Sequence, residues 1–281
     1  MKNPASEPAA SLADTAMSRE SARSSDSKRP GARWVVPVVD TSPGYGVLVG
    51  GLYRVFEIMI AIIALIVSLP VMLIEGLLIR LDSEGPALFF QLRMGRSAKV
   101  RGRDIEKRPD LLLPEKGLDQ DAYYYVPQTF QFVKFRTMYH DARNRFPELY
   151  DYSFQTEKFD SSYTKAAGVD DPRVTRLGRN LRTLTIDELP NFWLVLTGKM
   201  NLVGPRPELV EVLHAYPPEG MYKFAVRPGI TGLAQINGRA ILNRGETLKW
   251  DLEYIRNRTV WLDIRIICKT IWLVLTRRGA F

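Results

Sequence analysis

From Ile58 to Ile74 the chain runs through seventeen residues without a charge, IMIAIIALIVSLPVMLI. As a helix this stretch is about 25 Å long, short of the roughly 20 residues that a straight membrane span needs. Pro70 follows Ser68 and Leu69 past its middle, removes an amide donor and crowds the preceding turn, so a break between Ser68 and Pro70 is expected. Arg29, Arg33 and Arg54 precede the stretch and Arg80, Arg93, Arg96 and Arg101 follow it, and the positive-inside tendency assigns both flanks to the cytoplasm. A re-entrant segment that enters and leaves by one face satisfies length, proline and charge together. A buried core helix and a simple span remain as alternatives.

Upstream, Met1 to Arg33 is rich in Ala, Ser, Asp and Arg without apolar periodicity, which predicts a disordered tail extending over residues 1–44. Downstream of the membrane segment, residues 45–82, the pattern changes. Gly85-Pro86 turns into the apolar run ALFFQ, and FQFVKF from Phe130 to Phe135 alternates as a strand does, with Gln131 and Val133 opposite Phe130, Phe132 and Lys134. Between them, residues 97–128 hold mixed charge and several prolines without a period, and read as a surface insertion. Asp171-Pro172 is a helix-start signal, an acidic N-cap before proline. From Val260 to Thr276, Trp261, Ile264, Ile267, Cys268, Ile271, Trp272 and Leu275 form a helical apolar stripe off which Asp263, Arg265 and Lys269 fall, as on a core-facing or membrane-surface helix. Residues 83–281 are thus expected to form one cytoplasmic domain.

Composition narrows the chemistry. The 46% apolar and 25% charged shares are those of a globular protein. One cysteine and two histidines permit no internal disulfide and no Cys/His zinc cluster, so a metal would be held by oxygen, which points to magnesium. A net charge of +8 favours a phosphate-rich partner without choosing among nucleic acid, nucleotide and anionic lipid.

Arg173, Arg176, Arg179 and Arg182 recur every third residue and sweep about half the circumference of a helix, either a solvated face or a phosphate-binding one. Thr185-Ile186-Asp187-Glu188 follows directly. Thr185 and Glu188 fit a capping box and Asp187 suits a first helical turn, so both acids have a structural reading. Beside an arginine cluster, the same two carboxylates would supply a magnesium ligand and a nucleophile. In Gly204-Pro205-Arg206-Pro207-Glu208, prolines on both sides hold Arg206 on a stiff segment, where a guanidinium loses little entropy on forking onto phosphate. Lys134 and Arg136, at the end of the FQFVKF strand, add two more cations.

The ordered motifs GPALFFQ with Arg93 and Arg96, KFRTM, DPRVTRLGRNLR, TIDELPN, LVGPRPEL and RPGITGLAQINGR resemble those of the bacterial sugar transferases, the monotopic phosphoglycosyl transferases, from about Tyr53 to the C-terminus. The resemblance implies an α/β fold: a small membrane-associated catalytic domain with an N-terminal re-entrant membrane helix, broken here at Ser68 to Pro70, and amphipathic interfacial helices. It implies transfer of a sugar 1-phosphate from a UDP-sugar to undecaprenyl phosphate with release of UMP, at the cytoplasmic face of the bacterial inner membrane, as a first step of polysaccharide or glycoconjugate synthesis. Asp187 would be the nucleophile and Mg2+ ligand, Glu188 its assistant, and Arg182, Arg206, Lys134 and Arg136 phosphate-binding residues. The partners are UDP-sugar, undecaprenyl phosphate and membrane lipid, with homo-oligomerisation left open and no nucleic acid. Glu84, Asn191 and Lys199-Met200-Asn201 depart from the usual motifs without touching the acidic pair. The rival reading is a basic, membrane-anchored protein that binds anionic lipid or a partner without turnover.

Overall fold

The computed structural model describes residues 33–38, 47–105, 111–112, 117–150, 171–238 and 242–276. Its dominant element is α1 (Val47–Asp82), a helix of 36 residues that continues through Pro70. The expected interruption between Ser68 and Pro70 is therefore not a break in the helix. Pro70 leaves the Ile66 carbonyl without its usual amide donor, and one residue earlier the Ser68 hydroxyl donates to the Leu65 carbonyl at 3.4 Å. Ile62, Ile63, Ile66, Val67 and Leu73 are exposed along its middle. Among the described residues it is the one helix long and apolar enough to cross a membrane.

Both ends of α1 are nevertheless seated on the same folded domain. Near the start, Arg54 donates to the carbonyls of Val195 and Met200 and pairs with Glu57 at 3.0 Å. Glu57 also accepts the Leu202 amide at 2.8 Å, and Ala61 lies in the main core. Near the end, Ile79 packs with Phe135 and Leu181, and Arg136 donates to the carbonyls of Ile79, Ser83, Glu84 and Gly85.

Nine short strands complete the sheet structure: β1 (Arg33–Trp34), β2 (Val36–Pro37), β3 (Leu88–Met94), β4 (Ala98–Arg101), β5 (Leu111–Leu112), β6 (Tyr123–Val126), β7 (Thr129–Phe135), β8 (Asn201–Val203) and β9 (Gly229–Thr231) among the described residues. The expected strands at ALFFQ and FQFVKF pair with each other, β3 antiparallel to β7, with Leu88 opposite Phe135 and Met94 opposite Thr129. Alternation puts Phe89, Gln91 and Arg93 on the face that carries Phe132 and Lys134. Leu88, Phe90 and Leu92 take the other face and are exposed.

Two expectations about chain organisation are corrected. Residues 33–37, assigned to the disordered tail, form β1 and β2, and Val35 and Val36 are buried; the rest of that tail, 1–32 and 39–44, lies outside the described residues. The segment 97–128 is not a patternless loop: β2, β6 and β4 make a three-stranded sheet, and Val35, Ile105, Tyr124 and Val126 form a small core with it. The pairing joins segments roughly ninety residues apart, so no local period announces it.

The helices α2 (Gly102–Ile105), α3 (Ala142–Arg145), α4 (Arg176–Leu184), α5 (Asn191–Leu196), α6 (Leu233–Gly238), α7 (Arg244–Asn257) and α8 (Val260–Leu275) supply the remainder. The main core gathers Phe130, Phe132, Val195, Met200, Val203, Tyr254 and Ile266. Helix α8 turns Leu262, Ile266, Ile267 and Leu273 to the main core and leaves a second apolar stripe outside it. Asp263 is fully buried and accepts the Tyr254 hydroxyl at 2.8 Å, while Trp261, Ile271, Trp272 and Leu275 are exposed.

Candidate active site

Helix α4 begins one turn later than Asp171-Pro172 suggested. Thr175 is its N-cap and accepts the Gly178 amide at 2.9 Å, whereas Asp171 is engaged with Arg173 at 2.8 Å. A Cβ at Gly178 would collide with the Thr137 carbonyl, so glycine lets α4 lie directly against the chain leaving β7. At the other end Thr185 adopts the left-handed conformation with φ 61°, and the chain turns into a single 3-10 turn, Ile186–Glu188. The capping box expected of Thr185 and Glu188 does not form, because Thr185 closes α4 and its side chain makes no capping bond. That removes the capping-box reading of Glu188, while both acids keep their place in the first turn of the 3-10 helix.

The 3-10 turn sets the acids over the β3–β7 face. Asp187 is buried, and among the described residues no hydrogen bond or ion pair reaches its carboxylate. Glu188 is held by Arg206 in a fork, at 2.6 Å to Oε1 and 3.4 Å to Oε2. Burial, and then the neighbouring charge of Glu188, push the Asp187 carboxyl above the ordinary range, while Lys134, Arg182 and Arg206 face it and oppose that shift. Glu188 in turn holds the Arg206 guanidinium charged against its burial. Lys134 is pushed down to about 8 by burial, although Asp187 faces it. Arg182 is half-buried and donates to the Thr137 hydroxyl at 2.8 Å.

Of the expected residues, the structure therefore brings together Asp187, Glu188, Arg182, Arg206 and Lys134. Arg136 stands apart: its guanidinium spans the carbonyls that end α1 and the following turn, so it fastens the membrane helix instead of facing the acids. Ser68 and Pro70 lie in the exposed middle of α1, away from the acids. Within the basic run, Arg173 is occupied by Asp171 and the Leu149 carbonyl, and Arg176 and Arg179 are exposed.

Arg93 belongs to the site as well. It donates to the Pro207 carbonyl at 2.8 Å and to Gln91 at 3.0 Å, lies 4.7 Å over the Phe132 ring, and is held down to about 10, first by burial and then by Arg206. Its alternation with Gln91 on β3 was the sequence signal for it. The Pro205–Pro207 segment is fixed from behind by Glu208, which accepts the Tyr216 hydroxyl at 2.6 Å and faces Lys223 at 3.4 Å and Arg244 at 3.6 Å. A Cβ at Gly204 would meet the backbone of Arg227 to Gly229, so glycine permits the close approach that brings this segment under the site.

The donor set fits a hard dication. Asp187 offers a buried carboxylate without a cation bonded to it, and among the described residues no three Asp, Glu, His or Cys side chains converge as a cage. Magnesium is commonly held in this way, by one or two carboxylates with phosphate and water completing the shell.

Asp187, buried, and Glu188, partly buried, lie among four cations at the seat of a long apolar helix, an arrangement suited to binding phosphate beside a membrane-type helix. The sequence profile of the bacterial sugar transferases matches residues 50–101 and 119–277, and the chain belongs to that family. The unmatched stretch falls inside the expected insertion. The chain is 35% identical over 243 residues to the undecaprenyl-phosphate glucose phosphotransferase of Komagataeibacter xylinus, covering 81% of this chain and 36% of that protein. It is 34% identical over 260 residues to the UDP-glucose:undecaprenyl-phosphate glucose-1-phosphate transferase of Escherichia coli, covering 88% and 45%. The exopolysaccharide production protein ExoY of Sinorhizobium fredii is 30% identical over 234 residues, covering 83% of this chain and 90% of ExoY. The chain thus spans less than half the length of the first two relatives and nearly all of the third.

Proposed function

We propose that this chain transfers a sugar 1-phosphate from a UDP-sugar to undecaprenyl phosphate, releasing UMP. The observation that carries the reading is the division of labour within the acidic pair: Arg206 neutralises Glu188, while Asp187 is buried without a bonded partner and faces three cations. A carboxylate so placed is available to attack phosphorus.

An Asp187 oxygen attacks the sugar-bearing phosphorus, and the bond from that phosphorus to the UMP oxygen breaks, giving UMP and a sugar-phosphoryl aspartate. An oxygen of undecaprenyl phosphate then attacks the same phosphorus and displaces Asp187. Lys134, Arg182, Arg206 and Arg93 bind the phosphoryl oxygens and spread their charge, where most of the catalysis of phosphoryl transfer lies. Mg2+, held by Asp187 and substrate phosphate, would supply further neutralisation of that charge.

The docking of both ends of α1 on one domain supports a re-entrant seat in the cytoplasmic leaflet of the inner membrane. At about 1.5 Å per residue α1 is some 54 Å long, far more than the roughly 30 Å hydrocarbon layer, so a straight span would carry one end away from the domain it packs against. The outward stripe of α8 suits an interfacial helix. A pure anion binder gains nothing from two carboxylates inside its cationic cluster, which disfavours binding without turnover.

The test is UMP release by the purified chain with undecaprenyl phosphate and UDP-glucose, UDP-galactose or UDP-N-acetylgalactosamine. Release with at least one donor, dependent on acceptor for turnover and stopped by EDTA, is expected; none with any sugar nucleotide would reject the reading.

A further inference from the structure

Helix α1 buries two glutamates, and they are treated differently. Glu57 is 2% exposed and fully engaged, by Arg54 at 3.0 Å and by the Leu202 amide at 2.8 Å. Glu75 is also 2% exposed, yet neither of its carboxylate oxygens has a hydrogen-bond partner. A buried carboxylate without a donor or counter-charge either takes up a proton or is held by a partner that supplies the missing charge.

Its position says what that is. Met72, Glu75, Gly76 and Ile79 share one face of α1 at helical spacing. That face packs on Phe135, Leu181, Ala87 and Ile186, and Ile186 is the residue before Asp187. Glu75 is accordingly brought to the catalytic turn from the membrane side, and the charge that acts on it there is Asp187. Glu75 thus lies within electrostatic range of Asp187, on the face of α1 that packs beside Ile186, and among the described residues no donor or cation bonds to its oxygens. Glu188, the acid adjacent in sequence, is closed off by its fork with Arg206.

The geometry points to Glu75 as a ligand of the divalent cation of this site, supplying with Asp187 the two carboxylates between which a magnesium or manganese ion is held. The inference rests on the transferase reading only for the purpose of the ion. A cation between the two acids gives Glu75 its missing partner and relieves the like-charge repulsion from Asp187. Two carboxylates with water and substrate phosphate make a common magnesium shell, and no third acidic side chain is required. It also gives the membrane helix a chemical part in the site: the cation is complete only when α1 is seated.

The test uses the full chain in detergent and Mn2+ alone, without nucleotide. Free Mn2+ is read by electron paramagnetic resonance, and thermal melting is followed in EDTA and in Mn2+. Wild type should bind Mn2+ and melt higher in its presence, as a ligand of the folded state requires. Glu75→Gln should bind Mn2+ at least tenfold more weakly and lose the Mn2+-dependent rise. In EDTA it should melt at or above wild type, because a buried, unpartnered carboxylate that repels Asp187 is gone. Glu75→Asp, which keeps the charge, should retain binding within about threefold and serves if the glutamine variant does not fold. Unchanged Mn2+ affinity in folded Glu75→Gln, or no Mn2+ binding by wild type, overturns the inference. UMP release by wild type alongside unchanged Mn2+ affinity in the variant rejects the Glu75 ligand alone, whereas Mn2+ binding through Glu75 without UMP release with any donor rejects the transferase reading and leaves the ligand.

Discussion

Removing the charge of Glu208 should destabilise the domain strongly and in a pH-dependent way. Glu208 is 7% exposed and sits among Tyr216, Lys223 and Arg244, behind the segment that presents Arg206. Burial alone would raise its carboxyl, but Lys223, Arg244 and the Tyr216 hydroxyl outweigh burial and bring it from 4.5 down to about 2. The drop from 4.5 to about 2 corresponds to about 3 kcal/mol favouring the charged form in the folded state. Breaking a buried ion pair from one side gives a similar figure, about 3–5 kcal/mol, since Lys223 and Arg244 would each lose a counter-charge. The sign follows from the direction of the shift. A carboxylate depressed on folding contributes its full stability above its unfolded value near 4.5 and loses it as the pH falls from there towards 2. Glu208→Gln should therefore lie about 3 kcal/mol below wild type at pH 7, and the gap should close as the pH is lowered through that window. Urea denaturation of both proteins in non-ionic detergent, at a series of pH values from 7 to 3, measures it. A gap under about 1 kcal/mol at pH 7, or one that stays constant down to pH 3, would refute the reasoning.

Lys134 should set an alkaline limb on activity. Burial holds it down to about 8, so its charge is present below that pH and lost above it; kcat/KM for the sugar nucleotide should fall as the pH rises through about 8, and Lys134→Arg should abolish that fall. Arg206→Ala removes the fork on Glu188 beside Asp187 and should lower UMP release by about 10²–10³-fold, with Arg206→Lys recovering only part because a lysine cannot fork. If α1 is re-entrant, single cysteines at Leu48 and at Arg96, in a Cys268→Ser background, should both be reached by an impermeant thiol reagent from the cytoplasmic side; labelling from opposite sides would establish a span.

Local patterning made some of this architecture legible and hid the rest. The β3 and β7 strands were visible because alternation survives pairing, and their register puts Lys134 on the same face as Arg93. The same alternation misled for Arg136: β7 ends at Phe135, and one residue later the chain has turned, so the guanidinium points to the end of α1. The α8 stripe was readable as amphipathic, but periodicity has no sign. The buried Ile266, with Asp263 bonded to Tyr254, tells which face is inward. β1 and β2 were missed because a two-residue strand carries no period, and their partners are distant in sequence. Asp187 and Glu188 stood out as a pair, yet their different states depend on Arg206, eighteen residues away, which sequence spacing does not reveal. Glu75 is hidden in the sequence for a related reason: a charge that ends an apolar run looks like a boundary until folding buries it.

The transfer mechanism is tested most directly by intact-protein mass spectrometry of the purified chain incubated with its sugar nucleotide and Mg2+ in the absence of undecaprenyl phosphate. Wild type should gain the mass of one sugar phosphate, mapping to Asp187 after digestion, and should lose it when the lipid acceptor is added. Asp187→Asn keeps the size of the side chain, should fold normally, carry no adduct and release UMP at least 10³-fold more slowly. A folded Asp187→Asn protein releasing UMP near the wild-type rate, or an adduct that maps to another residue, would contradict a covalent mechanism at Asp187.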